Sequence, residues 1–147
     1  MKNVSEIKMA CDPDLMVNDH GHNERSENME KININGTVYV PESSVRVMAP
    51  DLDGMEYCMV RTYSAGVFAG YIESRNGNEA VLRNARRIWY WDGAASLSEL
   101  ATRGTSKPEN CKFPVAVDKI ILTEVIEIIP ITAEAKASID GVAVWTK

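Results

Sequence analysis

The stretch Asn84-Ala-Arg-Arg-Ile-Trp-Tyr-Trp-Asp-Gly-Ala-Ala-Ser-Leu-Ser-Glu-Leu-Ala101 joins the end of a predicted strand to the start of a predicted helix. Its first half is rich in aromatic residues and continues from Glu79 either as one long strand or as two strands joined near Ala85. Its second half fits a capping box, because the Ser96 hydroxyl can accept from the Glu99 amide while the Glu99 side chain reaches back. The stretch therefore indicates a sheet that leads directly into a short helix.

The residues before this stretch predict an antiparallel meander, because β-forming segments alternate with short turns. Asn35-Gly36 lies between β-formers and is a strong hairpin signal, and a second such turn is expected at Asn76-Gly77. Strands are predicted over Tyr57–Tyr63 and Val67–Ser74, with the small residues 64–66 as a tight turn or a bulge between them.

In the second of these strands, side chains are expected to alternate between two faces. Phe68 and Ile72 fall on one face, and Val67 and Tyr71 fall on the other. Gly70 inside the strand predicts a bulge or a close approach of another backbone segment.

After the stretch, the helix from Ser96 is expected to end near Arg103, because Gly104 can supply a left-handed stop. Residues 115–129 are rich in β-branched side chains and predict one long core strand, with a bulge near Glu124 as the alternative to a regular strand. Four residues of this strand are predicted to share one face, namely Ile120, Leu122, Ile126 and Ile128.

A second short helix over residues 133–138 is predicted behind the cap Thr132, followed by a strand or packing tail at 142–145. The whole pattern indicates the α+β class: an antiparallel β-meander with two short helices, assembled into at least a dimer. Residues 1–30 are polar, and we expect an arm that is mobile or ordered only by packing on a partner subunit. Residues 31–147 are predicted to form a single α+β ligand-binding domain.

Charge is unevenly distributed along the 147 residues, whose formal net charge is −5. Residues 61–112 carry eight Lys/Arg against five Asp/Glu, a balance of +3, in a chain that is otherwise acidic. This pattern favours a local anion pocket and argues against binding of duplex nucleic acid. Three widely spaced cysteines without a CxxC pair disfavour disulfides and zinc, and we expect no signal peptide and no membrane contact.

Arginines and tryptophans of the central stretch are the first candidates for ligand contacts. Arg86 and Arg87 can grip phosphate through planar forks of N–H donors, but neighbours on a strand point to opposite faces, so only one enters a given pocket. Trp89, Tyr90 and Trp91 can each stack on a base for ~1–3 kcal/mol, and of these Trp91 is taken as the ligand contact. The alternatives are a solvated strand edge for the arginines and a core or subunit-interface position for the tryptophan.

The small residues between Asp92 and Ser96 are a second candidate, because amides at a helix start carry a partial positive charge and bind anions. Residues 64–68 can form another small-residue wall, with Phe68 as a ring platform. The alternatives are a plain strand-to-helix connection and a core phenylalanine. Arg103 and two nearby lysines flank a loop that either closes over a ligand or is simply solvated.

The sequence gives catalysis little support, since both histidines, His20 and His22, lie in the polar arm. Together with the nearby acidic residues they match no closed zinc pattern. We therefore expect binding without turnover, with no enzymatic activity, no metal and no cofactor.

Several segments resemble a widespread family of small phage proteins: Arg61-Thr-Tyr-Ser-Ala-Gly-Val-Phe-Ala-Gly70, the central stretch, Cys111-Lys-Phe-Pro114, Ile128-Ile-Pro-Ile-Thr132 and Val144-Trp145. The resemblance covers about residues 57–147, is looser over 34–44 and does not extend to 1–30. That family includes the first-described Thoeris anti-defence proteins, which bind cyclic ADP-ribose isomers made by bacterial TIR enzymes and do not cleave them. Some members are higher oligomers that also hold cyclic oligonucleotides. The resemblance implies a nucleotide pocket at a subunit interface.

The leading hypothesis is a phage-encoded sponge, acting in the host bacterial cytoplasm, that sequesters a cyclic ADP-ribose isomer or a cyclic oligonucleotide as a homo-oligomer. In this hypothesis an arginine pairs with phosphate and an aromatic ring stacks on adenine, while Asn84 reads a base edge or a ribose hydroxyl. The runner-up is a protein-interaction module that blocks a host factor through the Trp/Tyr cluster. A third hypothesis is a phosphodiesterase-like enzyme, which would need a metal site. The predicted ligand contacts are Arg61, Phe68, Asn84, Arg86, Arg87, Trp91, Ala95, Ser96 and Arg103.

Overall fold

The computed structural model describes residues 32–40 and 45–147, so the predictions for residues 1–30 lie outside the described residues. The chain divides into two compact units, residues 1–46 and residues 47–147. The described part of the first unit is a hairpin of β1 (Ile32–Ile34) and β2 (Thr37–Tyr39). Asn35 and Gly36 both have positive φ, 52° and 80°, which is the geometry of the predicted hairpin turn and confirms it.

The second unit is organised around a five-stranded antiparallel sheet with the order β6-β5-β4-β3-β7. Its strands are β3 (Tyr57–Thr62), β4 (Val67–Asn76), β5 (Glu79–Ile88), β6 (Val117–Leu122) and β7 (Val125–Pro130). The first three form the predicted meander, and the β4–β5 turn lies at Gly77-Asn78, one residue later than expected. The predicted antiparallel α+β arrangement is confirmed for this unit.

The sheet is strongly curled, because its two edge strands are consecutive in the chain. In a flat sheet, four spacings of about 4.8 Å would separate β6 from β7 by roughly 19 Å. Leu122 and Val125 are only three residues apart, so their Cα atoms lie within about 11 Å of each other. The two edges therefore approach each other at Thr123-Glu124, and the sheet encloses its own inner core.

This break at Glu124 corrects the prediction of one long strand over residues 115–129. The segment is two strands, which pair with β5 on one edge and with β3 on the other. The predicted common face also fails at this point: Ile120, Leu122 and Ile128 belong to the inner core, whereas Ile126 is 55% exposed. Ile126 lies between Glu127 and Val125, the partners of Arg61 and Thr62, where the β3–β7 register shifts, and this bulge turns Ile126 away from the inner core.

The curled sheet separates two hydrophobic clusters. The inner cluster contains Phe68 with Ile72 packed against it, and the outer cluster contains Val67 with Tyr71, which confirms the two predicted faces of β4. Gly70 is required by close packing, because a Cβ there would lie 3.0 Å from Ala85 Cα. The predicted close approach at Gly70 is thus confirmed.

Two short helices complete the outer cluster, α1 (Leu97–Arg103) and α2 (Ala133–Gly141). Both begin at the predicted caps, since the Ser96 and Thr132 hydroxyls accept from the amides three residues on. α1 ends at Gly104, whose φ is 79°. Within the described ranges, no helix is long and apolar enough to cross a membrane.

Candidate functional site

Arg86 does not reach a surface cleft, which corrects its prediction as a ligand contact. Arg86 is only 8% exposed. Its guanidinium donates to four backbone carbonyls: Pro114 (3.2 Å), Phe113 (3.2 Å), Ile139 (2.9 Å) and Val142 (2.7 Å). The last two carbonyls belong to the C-terminal end of α2, so the cation balances the negative end of that helix dipole. Burial lowers the pKa of the guanidinium. The role of Arg86 is therefore to hold the sheet to the helix.

The ring of Phe68 is not open to a ligand either, and the prediction of a stacking platform there is corrected. Phe68 is buried in the inner cluster. The guanidinium carbon of Arg87 lies 4.4 Å from the ring centroid, so the cation covers the aromatic face. Phe68 supports an arginine where the sequence suggested that it would support a base.

The Ala95 amide, at the start of the predicted anion site before α1, is occupied by the chain itself. The Glu99 carboxylate accepts from the Ala95 amide at 2.7 Å, and the Ser96 hydroxyl accepts from the Glu99 amide at 3.2 Å. Because a carboxylate of the protein takes the place predicted for a ligand anion, Ala95 and Ser96 form a helix cap and the predicted anion site is corrected.

The open backbone predicted at Gly93 is covered by a neighbouring loop. A Cβ on Gly93 would lie 2.5 Å from the backbone nitrogen of Lys107 and 2.7 Å from the Ser106 hydroxyl. The adjacent Asp92 carboxylate accepts from the Asn110 side chain at 2.8 Å and from the Gly93 amide at 2.7 Å, and these bonds lower its pKa. The small residues therefore allow two loops to pack closely.

Asn84 is a bulge residue, which gives it a role that the sequence did not predict. Its φ of 49° lies in the left-handed region, and the β4–β5 register shifts beside it. Leu82 faces the inner cluster, and so does Arg87, although strict alternation would put residues five apart on opposite faces. The bulge thus directs Arg86 towards the helices and Arg87 towards the other side of the sheet.

The remaining predicted contacts lie apart from one another. Trp91 is partly buried and packs against the outer cluster. Arg61 pairs with Glu127 at 3.7 Å, and Arg103 is exposed in the last turn of α1. The structure does not bring these three residues together.

A surface cleft of about 190 Å³ lies where the β3–β4 turn meets the end of β5. We call it the Arg87 cleft. Gly66, with φ of 92°, leaves room for the arginine, because a Cβ there would already contact Arg87 Nη1 at 4.0 Å. Of the nine predicted contacts, only Arg87 lines this cleft. Its lining residues are Ser64, Ala65, Gly66, Val67, Arg87, Ile88 and Trp89.

The Arg87 guanidinium is held in place without a carboxylate partner. It lies over the Phe68 ring and donates to the carbonyl oxygen of Ala65. Along the same strand, Arg83 pairs with Glu73 at 3.4 Å, whereas Arg87 forms no ion pair with any residue that the structure describes. Arg87 is therefore an oriented positive charge whose counterion the described residues do not supply.

The turn beside Arg87 adds unused hydrogen-bond donors. The backbone N–H groups of Ser64, Ala65 and Gly66 donate to no other group in the described part of the chain. Backbone amides grouped beside a cation are a common way to bind an anionic ligand.

Trp89 forms the rim of the cleft, and the sequence-based choice of Trp91 missed it. Trp89 is 63% exposed, while its backbone N–H is fixed by a hydrogen bond to the Lys112 carbonyl at 3.1 Å. The spacing of two residues from Arg87 was the available signal, because it places both side chains on one face of a strand. Trp89 directly follows the last residue of β5 and still lies beside Arg87 in the cleft, whereas Trp91, three residues past the strand, packs against the outer cluster.

Comparison with known proteins identifies one family. Residues 55–139 match the model of a protein family described as a domain of unknown function, DUF6948. No curated protein and no solved structure matches the chain. In the described ranges, no group of three or more His, Cys, Asp or Glu side chains is arranged to hold a metal ion.

Proposed function

The chain belongs to the DUF6948 family, whose function is unknown, and we propose that it is a phage anti-defence sponge that binds a cyclic nucleotide immune signal without cleaving it. Its place of action would be the cytoplasm of the host bacterium. The Arg87 cleft would hold the phosphate end of the nucleotide, and Trp89 would stack on a base.

The state of Arg87 is the observation that carries this proposal. A guanidinium presents five N–H donors in a planar fork, and the bond to Ala65 uses one nitrogen of that fork. Stacking on Phe68 fixes the plane of the group, so little rotamer freedom remains to be lost when a phosphate binds. Phosphate accepts such paired donors well, and the amides of Ser64 to Gly66 lie beside them.

Trp89 supplies the contact that distinguishes a nucleotide from a simple phosphate. Its exposed indole is carried by a backbone segment that is hydrogen-bonded to Lys112. Stacking of a base on such a ring contributes ~1–3 kcal/mol. A base and a phosphate of one ligand can thus be bound by residues only two positions apart.

The size of the cleft supports a homo-oligomeric site. Pockets that bury a small molecule usually enclose about 300–1,000 Å³, and the Arg87 cleft has about 190 Å³. One copy of the chain would therefore cover only part of a cyclic nucleotide. The exposed rings of Tyr63 and Tyr90, 81% and 51% accessible, are suited to contact a second copy that covers the rest.

The choice among anionic ligands rests on the resemblance to the phage anti-defence proteins. It favours a cyclic ADP-ribose isomer or a cyclic oligonucleotide, since both combine phosphate with adenine-type bases. Binding of either by Arg87 and Trp89 requires no catalytic group.

Thermal unfolding with a panel of cyclic ADP-ribose isomers and cyclic di- and trinucleotides tests the proposal. A ligand present at ~100 times its dissociation constant adds about 2.7 kcal/mol to the free energy of unfolding and raises Tm. The bound nucleotide is then released by heat and analysed. Intact nucleotide supports a sponge, altered nucleotide indicates an enzyme, and the absence of any shift contradicts the proposal.

Two variants locate the site. Arg87→Met and Trp89→Ala should each remove the ligand-induced shift, which is measured against the unliganded form of the same variant because Arg87→Met also loses its contacts with Phe68 and Ala65. Arg83→Met is the matched control, because it removes an arginine from the same strand outside the cleft. If the shift persists in both site variants, the nucleotide binds elsewhere.

A second candidate function is a protein-interaction module that inhibits a host factor. The observation that favours it is the exposure of Tyr63, Trp89 and Tyr90, since exposed aromatic residues are typical interface hot spots. This function predicts that Trp89→Ala abolishes binding to a host protein in a chain that shows no nucleotide-induced shift.

A further inference from the structure

Glu124 places a carboxylate beside the turn that borders the Arg87 cleft. It lies at the corner between β6 and β7, where the edges of the curled sheet approach each other. Its carbonyl accepts the Tyr63 amide at 2.9 Å, and its carboxylate accepts the Ser64 hydroxyl. Ser64 lines the cleft, so the carboxylate is held at the Ser64 end of the site.

The Glu124 carboxylate has capacity for further hydrogen bonds. It is exposed and forms no ion pair with a described residue, unlike Glu127, which pairs with Arg61 at 3.7 Å. An ionised carboxylate offers about four acceptor positions, and Ser64 uses one of them. Glu124 can therefore accept hydroxyl groups from a ligand.

The turn from Ser64 to Gly66 thus lies between a cation, which binds anions, and a carboxylate, which binds hydrogen-bond donors. Arg87, bonded to Ala65, attracts a phosphate, whereas Glu124, bonded to Ser64, repels a phosphate and accepts hydroxyls. A ligand that satisfies both groups carries an anion and a nearby hydroxyl on one small scaffold. A phosphorylated ribose has this chemistry, and carboxylates that accept the ribose 2′-hydroxyl are a general means of recognising it.

We propose that Glu124 is a specificity-determining residue that accepts a ribose hydroxyl, so that the Arg87 cleft selects ribonucleotides over 2′-deoxyribonucleotides. This inference rests on the proposed function, and it adds the sugar to the phosphate and the base. Ser64 orients the carboxylate for that contact.

Paired ligands test this selectivity on the full chain. Cyclic di-AMP, cyclic ADP-ribose and the other panel members are each compared with their 2′-deoxy analogues by calorimetry and by thermal shift. Because hydrogen bonds to charged groups are among the stronger ones, the ribonucleotide should bind at least about tenfold more tightly. Glu124→Gln should reduce this ratio to about twofold or less by weakening the ribonucleotide more than its deoxy analogue.

Glu127→Gln is the matched control, because it neutralises a nearby partly exposed carboxylate whose ion-pair partner is Arg61. It should keep the wild-type ratio. Equal binding of both sugars to the wild-type protein, or an unchanged ratio in Glu124→Gln, overturns the selectivity and leaves the sponge proposal standing. If no panel member in either sugar form binds, the proposed function and this inference fall together. If Glu124→Gln does not fold, the ratio of ribonucleotide to 2′-deoxyribonucleotide affinity of the wild-type protein decides whether the cleft is selective.

Discussion

The guanidinium of Arg86 donates a hydrogen bond of 2.7 Å to the carbonyl oxygen of Val142, 56 residues further along the chain. Three more carbonyls complete its surroundings, and the ring of Phe113 lies 5.5 Å from the guanidinium carbon. Strand β5 and the end of α2 are thereby joined through one side chain.

Arg86→Met should destabilise the protein by at least about 3 kcal/mol, because several buried carbonyls lose a charged donor at the same time. Chemical unfolding of the variant measures this loss. Arg83→Met serves as the control and should change stability by no more than about 1 kcal/mol, since the pair of Arg83 with Glu73 is exposed. Equal effects of the two substitutions would contradict the structural role of Arg86.

Asn84 decides which of the two neighbouring arginines reaches the cleft. Since its backbone is left-handed, with φ of 49°, a β-branched residue at this position is strained by roughly 1–3 kcal/mol. Asn84→Val should therefore lower the free energy of unfolding by that amount, whereas Asn84→Gly should stay within about 0.5 kcal/mol of the wild-type protein.

The binding measurement separates the bulge from a ligand contact. If Asn84 read a base or a ribose, as the sequence suggested, Asn84→Gly would weaken nucleotide binding strongly. If Asn84 acts only through its backbone, Asn84→Gly keeps the ligand-induced shift in Tm. Loss of that shift in a stable Asn84→Gly protein would restore Asn84 to the list of ligand contacts.

Local signals predicted much of the fold correctly. The turn at Asn35-Gly36, the caps Ser96 and Thr132 and the two faces of β4 depend on residues close in sequence, and the structure confirms each of them. The meander followed from the same kind of signal, because β-forming segments alternate with short turns, and successive residues of β3 and of the first part of β4 do alternate between the two clusters.

The errors occur where regular alternation stops. The interruptions at Asn84 and Glu124 were predicted only as alternatives, a joint near Ala85 and a bulge near Glu124, because neither residue is the Gly or Pro that usually marks such a break. The site prediction failed for a related reason: the guanidinium of Arg86 donates its hydrogen bonds to carbonyls 27 to 56 residues away, and the ring of Phe68 is covered by Arg87. Such long-range contacts cannot be found from composition or spacing.

Gly70 should not tolerate a side chain. A Cβ there would lie 3.0 Å from Ala85 Cα and 3.1 Å from the Arg83 carbonyl oxygen, and both are backbone atoms that cannot move independently. Gly70→Ala should cost about 1–3 kcal/mol in the free energy of unfolding. Gly141→Ala is the matched control: its Cβ meets nothing within 4 Å, and it should be neutral or add up to about 1 kcal/mol. A Gly70→Ala protein as stable as Gly141→Ala would contradict the close approach of β4 and β5.

Asp92 should contribute stability that depends on pH. Hydrogen bonds from the Asn110 side chain and the Gly93 amide, with the charge of Lys107, lower the pKa of the folded carboxyl below its unfolded value of about 3.9. A lowered folded pKa means that the contribution is complete above the unfolded pKa and is lost as pH falls through the folded pKa. The Tm of Asp92→Asn should therefore lie below that of the wild-type protein at pH 6 and approach it progressively below about pH 4. Asn110→Ala, which removes the largest cause of the shift, should reduce the same pH-dependent difference, and a gap in Tm that stays constant from pH 6 to pH 3 would contradict the role of the Asp92 carboxylate.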